Sequence, residues 1–153
     1  MQKISVRCCV VGGGPAGVMA GLLLARAGID VIVIEKHADF LRDFRGDTIH
    51  PSTLEVMHEL GLLEAFLALP HQKATTLSAQ IGDTAVTMAD FSHLKLRCPY
   101  IAFMPQWDFL DFLAGHAERL PRFGLMRRAE ARELIEEDGR VVGLRASTPD
   151  GAL

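Results

Sequence analysis

A chain of 153 residues fits one ordinary domain, a size at which folding removes about two-thirds of the unfolded surface from water without help from disulfides or metals. With 49% hydrophobic and 23% charged residues the composition excludes a disordered tail, and a net charge of -3 offers no overall positive field to gather nucleic acid or anionic lipid. A small molecule is the expected partner.

Residues 4–11 form a β-branched, apolar run of strand length, and a glycine cluster follows at once. The uncharged stretch 8–25 resembles a signal peptide or short membrane span. Gly12-Gly13-Gly14-Pro15 in its middle would break such a helix, so the stretch reads as a strand and a helix joined by a turn. Pro15 suits the first helical turn and Gly28 the left-handed position just past the last. Gly17, Gly21 and Ala25 recur every fourth residue, which predicts a stripe of small side chains that lets the helix lie close to a sheet. Residues 31–34 are a second apolar strand ending at Glu35, completing a right-handed parallel βαβ unit.

A loop over 36–51 leads to Ser52 and Glu55, spaced as a capping box opening a helix that Gly61 stops. Alternation on both sides of Gly82-Asp83 predicts a two-residue hairpin, and a short strand near 100–103 passes Pro105 into a helix carrying Leu110, Leu113 and Ala117 on one face. Residues 124–127 read as a third parallel strand. Asp138-Gly139 marks a second hairpin, and residues 148–151 signal a turn into a further strand, so the sequence reads as the front portion of a longer protein. The fold class is therefore α/β, a Rossmann-like parallel βαβ fold with inserted antiparallel hairpins, covering 1–153 and truncated. The hairpin at about 75–103 is expected to contribute to a substrate-side sheet.

Gly12, Gly14 and Gly17 match GxGxxG in its required setting, between an apolar strand and a helix with an acid at the end of the next strand. Gly12 permits a tight turn, Gly14 lets the backbone approach a pyrophosphate, and Gly17 lets the helix pack closely. The helix opening at Pro15 and Ala16 presents free N–H groups and its positive end to phosphates. Glu35 would accept hydrogen bonds from adenosine ribose hydroxyls and repel a 2′-phosphate. A plain NAD module proceeds promptly to another helix and a third parallel strand, whereas here antiparallel material intervenes, which argues for FAD.

The segments VVGGGPAGVMAGLLLARAGIDVIVIEKH, FRGDTIHPSTLEVMHELGLLE, MPQWDFLDFLAGHA and LIEEDGRVVGLRAS together resemble the FAD-dependent aromatic hydroxylases of the p-hydroxybenzoate hydroxylase type. The resemblance implies that Glu35 binds ribose, that Arg45 of the RGDT stretch contacts FAD, and that Gln106 lies near the flavin's ribityl chain. Lys36 would either lie over the adenosine or simply be exposed. Gly13 joins the glycines of the cofactor turn. The implied activity is a monooxygenase that uses NADH or NADPH and O2 to hydroxylate an aromatic or polyketide-like substrate. No residue is expected to be catalytic, because the flavin carries the hard step.

Six histidines lack the helical three- or four-residue spacing of metal ligands, so no metal site is expected. Arg127, Arg128, Arg132 and Arg140 are interleaved with Glu130, Glu133, Glu136 and Glu137 and read as a solvated hairpin surface. Cys8, Cys9 and Cys98 form no disulfide framework and suggest reduced thiols in the cytoplasm. An unpaired edge on the first strand would favour self-association. Two alternatives stand beside the flavoenzyme: an NAD-dependent reductase, which a third βαβ repeat in place of the hairpin would favour, and a non-catalytic nucleotide-binding module.

Overall fold

The computed structural model describes residues 3–41 and 46–152. Strand β1 (Cys8–Val11) is shorter than the apolar run that suggested it, because its parallel partner begins only at Val31. The N–H groups of Arg7 and Cys8 both donate to the Asp30 carbonyl, where the ladder starts. Gly12, at φ +107°, turns the chain toward helix α1 (Pro15–Arg26). The helix stops where glycine permits it: Gly28 at φ +80° donates to the Ala25 carbonyl while Ile29 N–H reaches back to Leu24. Strand β2 (Val31–Glu35) follows. No helix among the described residues is long and apolar enough to cross a membrane.

Strand β3 (Thr48–Ile49) precedes helix α2 (Pro51–Glu59), whose start corrects the expected capping box. Pro51 takes the first helical position, His50 becomes the cap residue, and no side chain caps the helix. Proline's fixed φ and missing N–H suit that position better than any competitor nearby. Glu55, left without a capping role, accepts the Arg97 N–H at 2.9 Å instead. Helix α3 (Leu63–Leu67) and strand β4 (Gln72–Ala74) are short elements that no periodicity announces. Strands β5 (Thr76–Ile81) and β6 (Thr84–Asp90) form the expected hairpin, with Ile81 opposite Thr84.

Strand β7 (Ile101–Phe103) leads into helix α4 (Gln106–Ala117) and then strand β8 (Phe123–Arg127), which runs parallel to β2. Strands β9 (Glu130–Glu137) and β10 (Arg140–Thr148) enclose Asp138 at φ +50° and Gly139 at φ +73°, the two left-handed residues a type I′ turn requires. Strand β11 (Gly151–Ala152) folds back on β10.

Two units divide the chain: Met1–Leu41 with Leu110–Leu153, and Arg42–Phe109. In the first, the parallel sheet has the order β1-β2-β8. Helix α1 covers one face, burying Val18, Gly21, Leu22 and Ala25. The antiparallel sheet β11-β10-β9 covers the other, where Ile34, Ala129 and Ala146 form a buried cluster with Ile32, Met126, Ala131 and Leu144 packed against it. A parallel strand clothed on both faces explains why β2 is apolar throughout rather than alternating. In the second unit, β3, β7 and β4 form an antiparallel sheet, and Phe66 meets Phe109 edge to face at 5.6 Å. The β5–β6 hairpin there exposes Ile81 and Met88.

Candidate dinucleotide site

The site grows from the junction of β1, α1 and β2. Gly12 N–H donates to the Ile34 carbonyl at 2.8 Å, which ties the glycine turn to the end of the neighbouring strand. The α1 ladder begins with Val18 N–H on the Gly14 carbonyl. The N–H groups ahead of it therefore have no ladder acceptor, and neither a capping side chain nor an acidic residue in the first turn compensates the helix's positive end. An anion from outside the chain is the natural complement.

The glycines divide their work differently from the motif's usual reading. Gly12 supplies the positive φ. At Gly17 an added Cβ would stand 1.9 Å from the Gly12 carbonyl oxygen, so this glycine lets the helix cross its own turn. Close packing of helix on sheet belongs more to Gly21, whose Cβ position lies 2.6 Å from Val33 and 2.7 Å from Phe123. Gly14 has an ordinary φ of -74° and nothing within 4 Å of its Cβ position. Nothing in the protein itself requires a glycine there, so the backbone at Gly14 is left bare.

Gly13 has a role that motif spacing does not reveal. Its N–H donates to Glu35 Oε2 at 2.9 Å, and a Cβ on it would come within 2.8 Å of the Glu35 side chain. The second oxygen, Oε1, accepts the His37 backbone N–H at 2.9 Å and lies 2.7 Å from His37 Nδ1. Burial of Glu35 pushes its carboxyl up, but the His37 and Gly13 N–H groups and the His37 ring outweigh that effect and hold it below the ordinary value. The glycine turn and the strand-end carboxylate are thus one hydrogen-bonded assembly, carrying a negative charge beside a positive helix end.

The other expected residues are distributed less tightly. Pro15 and Ala16 open α1 as predicted, and Lys36 is exposed immediately after Glu35. Arg45 lies outside the described residues. Gln106 begins α4 in the second unit, where its N–H donates to Asp47 Oδ1 at 3.3 Å and its amide nitrogen lies 3.1 Å from the Cβ position of Gly46.

Arg127 departs from the solvated hairpin surface expected for the arginines. It pairs in register with Glu35, lies with its guanidinium 4.7 Å from the Phe40 ring centre, and has a buried Nε with no hydrogen-bond partner among the described residues. Charge alternation along the sequence concealed it, because it belongs to β8 rather than to the hairpin. The hairpin arginines do pair at the surface, Arg132 with Glu130 and Arg145 with Glu133, each at 2.7 Å.

A βαβ unit with an open glycine turn and an ionised acid at the second strand's end defines a dinucleotide-binding domain. The match is specific: the FAD binding domain family model covers residues 5–152, and the chain belongs to that family. An uncharacterised aromatic compound monooxygenase of Bacillus subtilis is 32% identical over 94% of this chain. A rifampicin monooxygenase of Streptomyces venezuelae is 34% identical over 88% of it. The chain spans 28% of the length of each of these curated relatives. The solved structure of an anhydrotetracycline hydroxylase from Streptomyces rimosus superposes with a TM-score of 0.83 at 28% identity, covering 98% of this chain and 29% of that one. The cofactor is FAD rather than NAD, as the antiparallel insertions suggest. The residues present fit it: bare Gly14 and the uncapped helix start suit a diphosphate, and Glu35 suits ribose hydroxyls.

Proposed function

We propose that this chain is the FAD-binding portion of a flavin-dependent monooxygenase that uses NADH or NADPH and O2 to hydroxylate an aromatic or polyketide-like small molecule. One observation carries the cofactor half of the reading: an uncapped helix start with bare Gly14 adjoins a buried acid tethered to the same turn. The names borne by the relatives in Bacillus and Streptomyces favour oxygen transfer over the alternative NAD-dependent reductase. So does the antiparallel hairpin β5–β6, standing where a simpler reductase would have another βαβ repeat.

The turn residues Gly12, Gly13, Gly14, Pro15, Ala16 and Gly17 receive the diphosphate, with backbone N–H groups and the helix end as donors. Glu35 accepts the adenosine ribose hydroxyls, and its charge disfavours a 2′-phosphate at this position. Lys36 lies near the adenosine, Arg45 pairs with the pyrophosphate, and Gln106 bonds the ribityl hydroxyls, for which an amide that donates and accepts is suited. The flavin, when bound, takes electrons from the nicotinamide and activates O2, and no side chain of this chain is assigned a catalytic role. The hairpin at about 75–103 contributes to the substrate side of the protein. The cytoplasm is the compartment, and β1, which pairs only with β2 among the described residues, gives this portion taken alone a route to self-association.

Titration with FAD of the longer protein to which this portion belongs, followed by flavin absorbance and by NADH and NADPH oxidation with a panel of phenols and polycyclic aromatics, tests the reading. Saturable FAD uptake and substrate-stimulated oxidation are expected of that longer protein, and weak FAD binding without oxidation of the 153-residue chain alone. A protein that takes up no FAD, or that binds NAD in its place, would overturn it.

A further inference from the structure

A glutamate at the end of a strand has three side-chain torsions, and it serves a ribose only if its carboxylate stays aimed where the ribose docks. Gly13 N–H restrains one oxygen. The other is held by His37, through its backbone N–H at 2.9 Å and its ring Nδ1 at 2.7 Å. An ionised carboxylate only accepts, so the ring proton resides on Nδ1. The backbone that delivers this ring is itself fixed from the turn between β8 and β9. Ala129 N–H donates to the Glu35 carbonyl at 2.9 Å, and Arg128 N–H donates to the His37 carbonyl at 3.0 Å. The His37 side chain is 45% exposed while that of Glu35 is 11% exposed. The imidazole is therefore not filling a core, and its contact with the carboxylate is where it acts.

From this geometry we propose that His37 is a positioning residue for the adenosine ribose: together with Gly13 it locks Glu35 in the orientation that receives the ribose hydroxyls. The proposal rests on the assignment of Glu35 to the ribose and names the restraint that makes that contact selective.

ADP carries the diphosphate and adenosine without the flavin, so its binding reads this half of the site independently of turnover. Calorimetric titration of ADP and 2′,3′-dideoxy-ADP into wild type, His37→Ala, His37→Phe, His37→Asn and Glu35→Gln tests the proposal. Wild type should prefer ADP about tenfold, equivalent to about 1.4 kcal/mol. His37→Ala should lose most of that preference by weakening ADP while leaving the dideoxy compound unchanged. His37→Phe, which keeps a ring and lacks the donor, should do the same. His37→Asn, whose amide nitrogen falls near the Nδ1 position, should recover it. Combining His37→Ala with Glu35→Gln should weaken ADP no further than Glu35→Gln alone, because both changes remove one coupled contact. Histidine variants that weaken both ligands equally, or neither, would overturn the positioning role and leave FAD binding standing. A wild type that binds ADP no better than its dideoxy analogue would overturn the ribose assignment of Glu35 and this proposal together.

Discussion

Replacing Gly17 by alanine would put a methyl carbon 1.9 Å from the Gly12 carbonyl oxygen, and one of the two must retreat to at least 3.0 Å. Neither partner is the loose end of a side chain. Gly12 is tied to Ile34 by its N–H, and moving α1 outward would unpack Val18 and Leu22, which are 0% and 2% exposed. Adding atoms to a packed core costs about 1–3 kcal/mol, and a backbone obstacle places this case toward the upper end. Alanine's better helix propensity returns up to about 1 kcal/mol, leaving a net loss of about 2 kcal/mol. With a urea dependence of about 1–3 kcal/mol per molar for small proteins, the unfolding midpoint should fall by about 1 M at unchanged slope. Gly14→Ala is the matched control. Its φ of -74° suits alanine and nothing stands within 4 Å, so stability should change by less than about 1 kcal/mol, the weaker helix cap being the main effect. FAD binding should nevertheless be lost, because on the proposed docking of the diphosphate against Gly14 the new methyl group stands in its approach. A Gly17→Ala protein as stable as wild type, or a Gly14→Ala protein that still binds FAD fully, would refute this division of roles.

Two further outcomes follow from the ionisable groups. Glu35 is held below its ordinary pKa, because N–H donors outweigh the effect of burial. Its ionisation therefore stabilises the fold above the unfolded value of about 4.3, and that stability is lost as pH falls through the folded value. The stability advantage of wild type over Glu35→Gln in urea unfolding should thus shrink on acidification, and a constant gap would count against the tethered carboxylate. Tyr100, the chain's single tyrosine, is pushed up to about 12, first by burial and then by its hydrogen bond to and charge interaction with Cys98. Its contribution is present below the unfolded pKa of about 10 and is lost as pH rises through the folded value. Near-ultraviolet absorbance at about pH 10.5 should show little phenolate in the native protein and substantial phenolate in urea, where the ordinary pKa of about 10 returns. Equal ionisation in both states would show that the phenol is not shielded.

The sequence alone determined those features whose cause is local. Gly12 and Gly28 end a strand and a helix because they adopt positive φ, and the hairpins turn at Gly82-Asp83 and Asp138-Gly139 because two-residue loops demand such residues. The uninterrupted apolar run 31–34 already announced β2 and its place in a parallel βαβ unit. The capping box at Ser52 failed although its spacing was right, because Pro51 one residue earlier is better placed to open the helix. Helix α3 and strand β4 went unseen because five and three residues are too few to show a period. Tertiary structure decided what depends on pairs distant in the chain. Gly13 needs its bare α-carbon because Glu35, 22 residues later, folds against it. His37 has the spacing of any loop histidine until the turn between β8 and β9 fixes its backbone beside the carboxylate that its ring meets. Arg127 looks like one charge among many until parallel pairing sets it beside Glu35 and over Phe40. Local backbone preference wrote the glycine turn; only long-range packing set the groups that hold Glu35, the buried acid among the described residues.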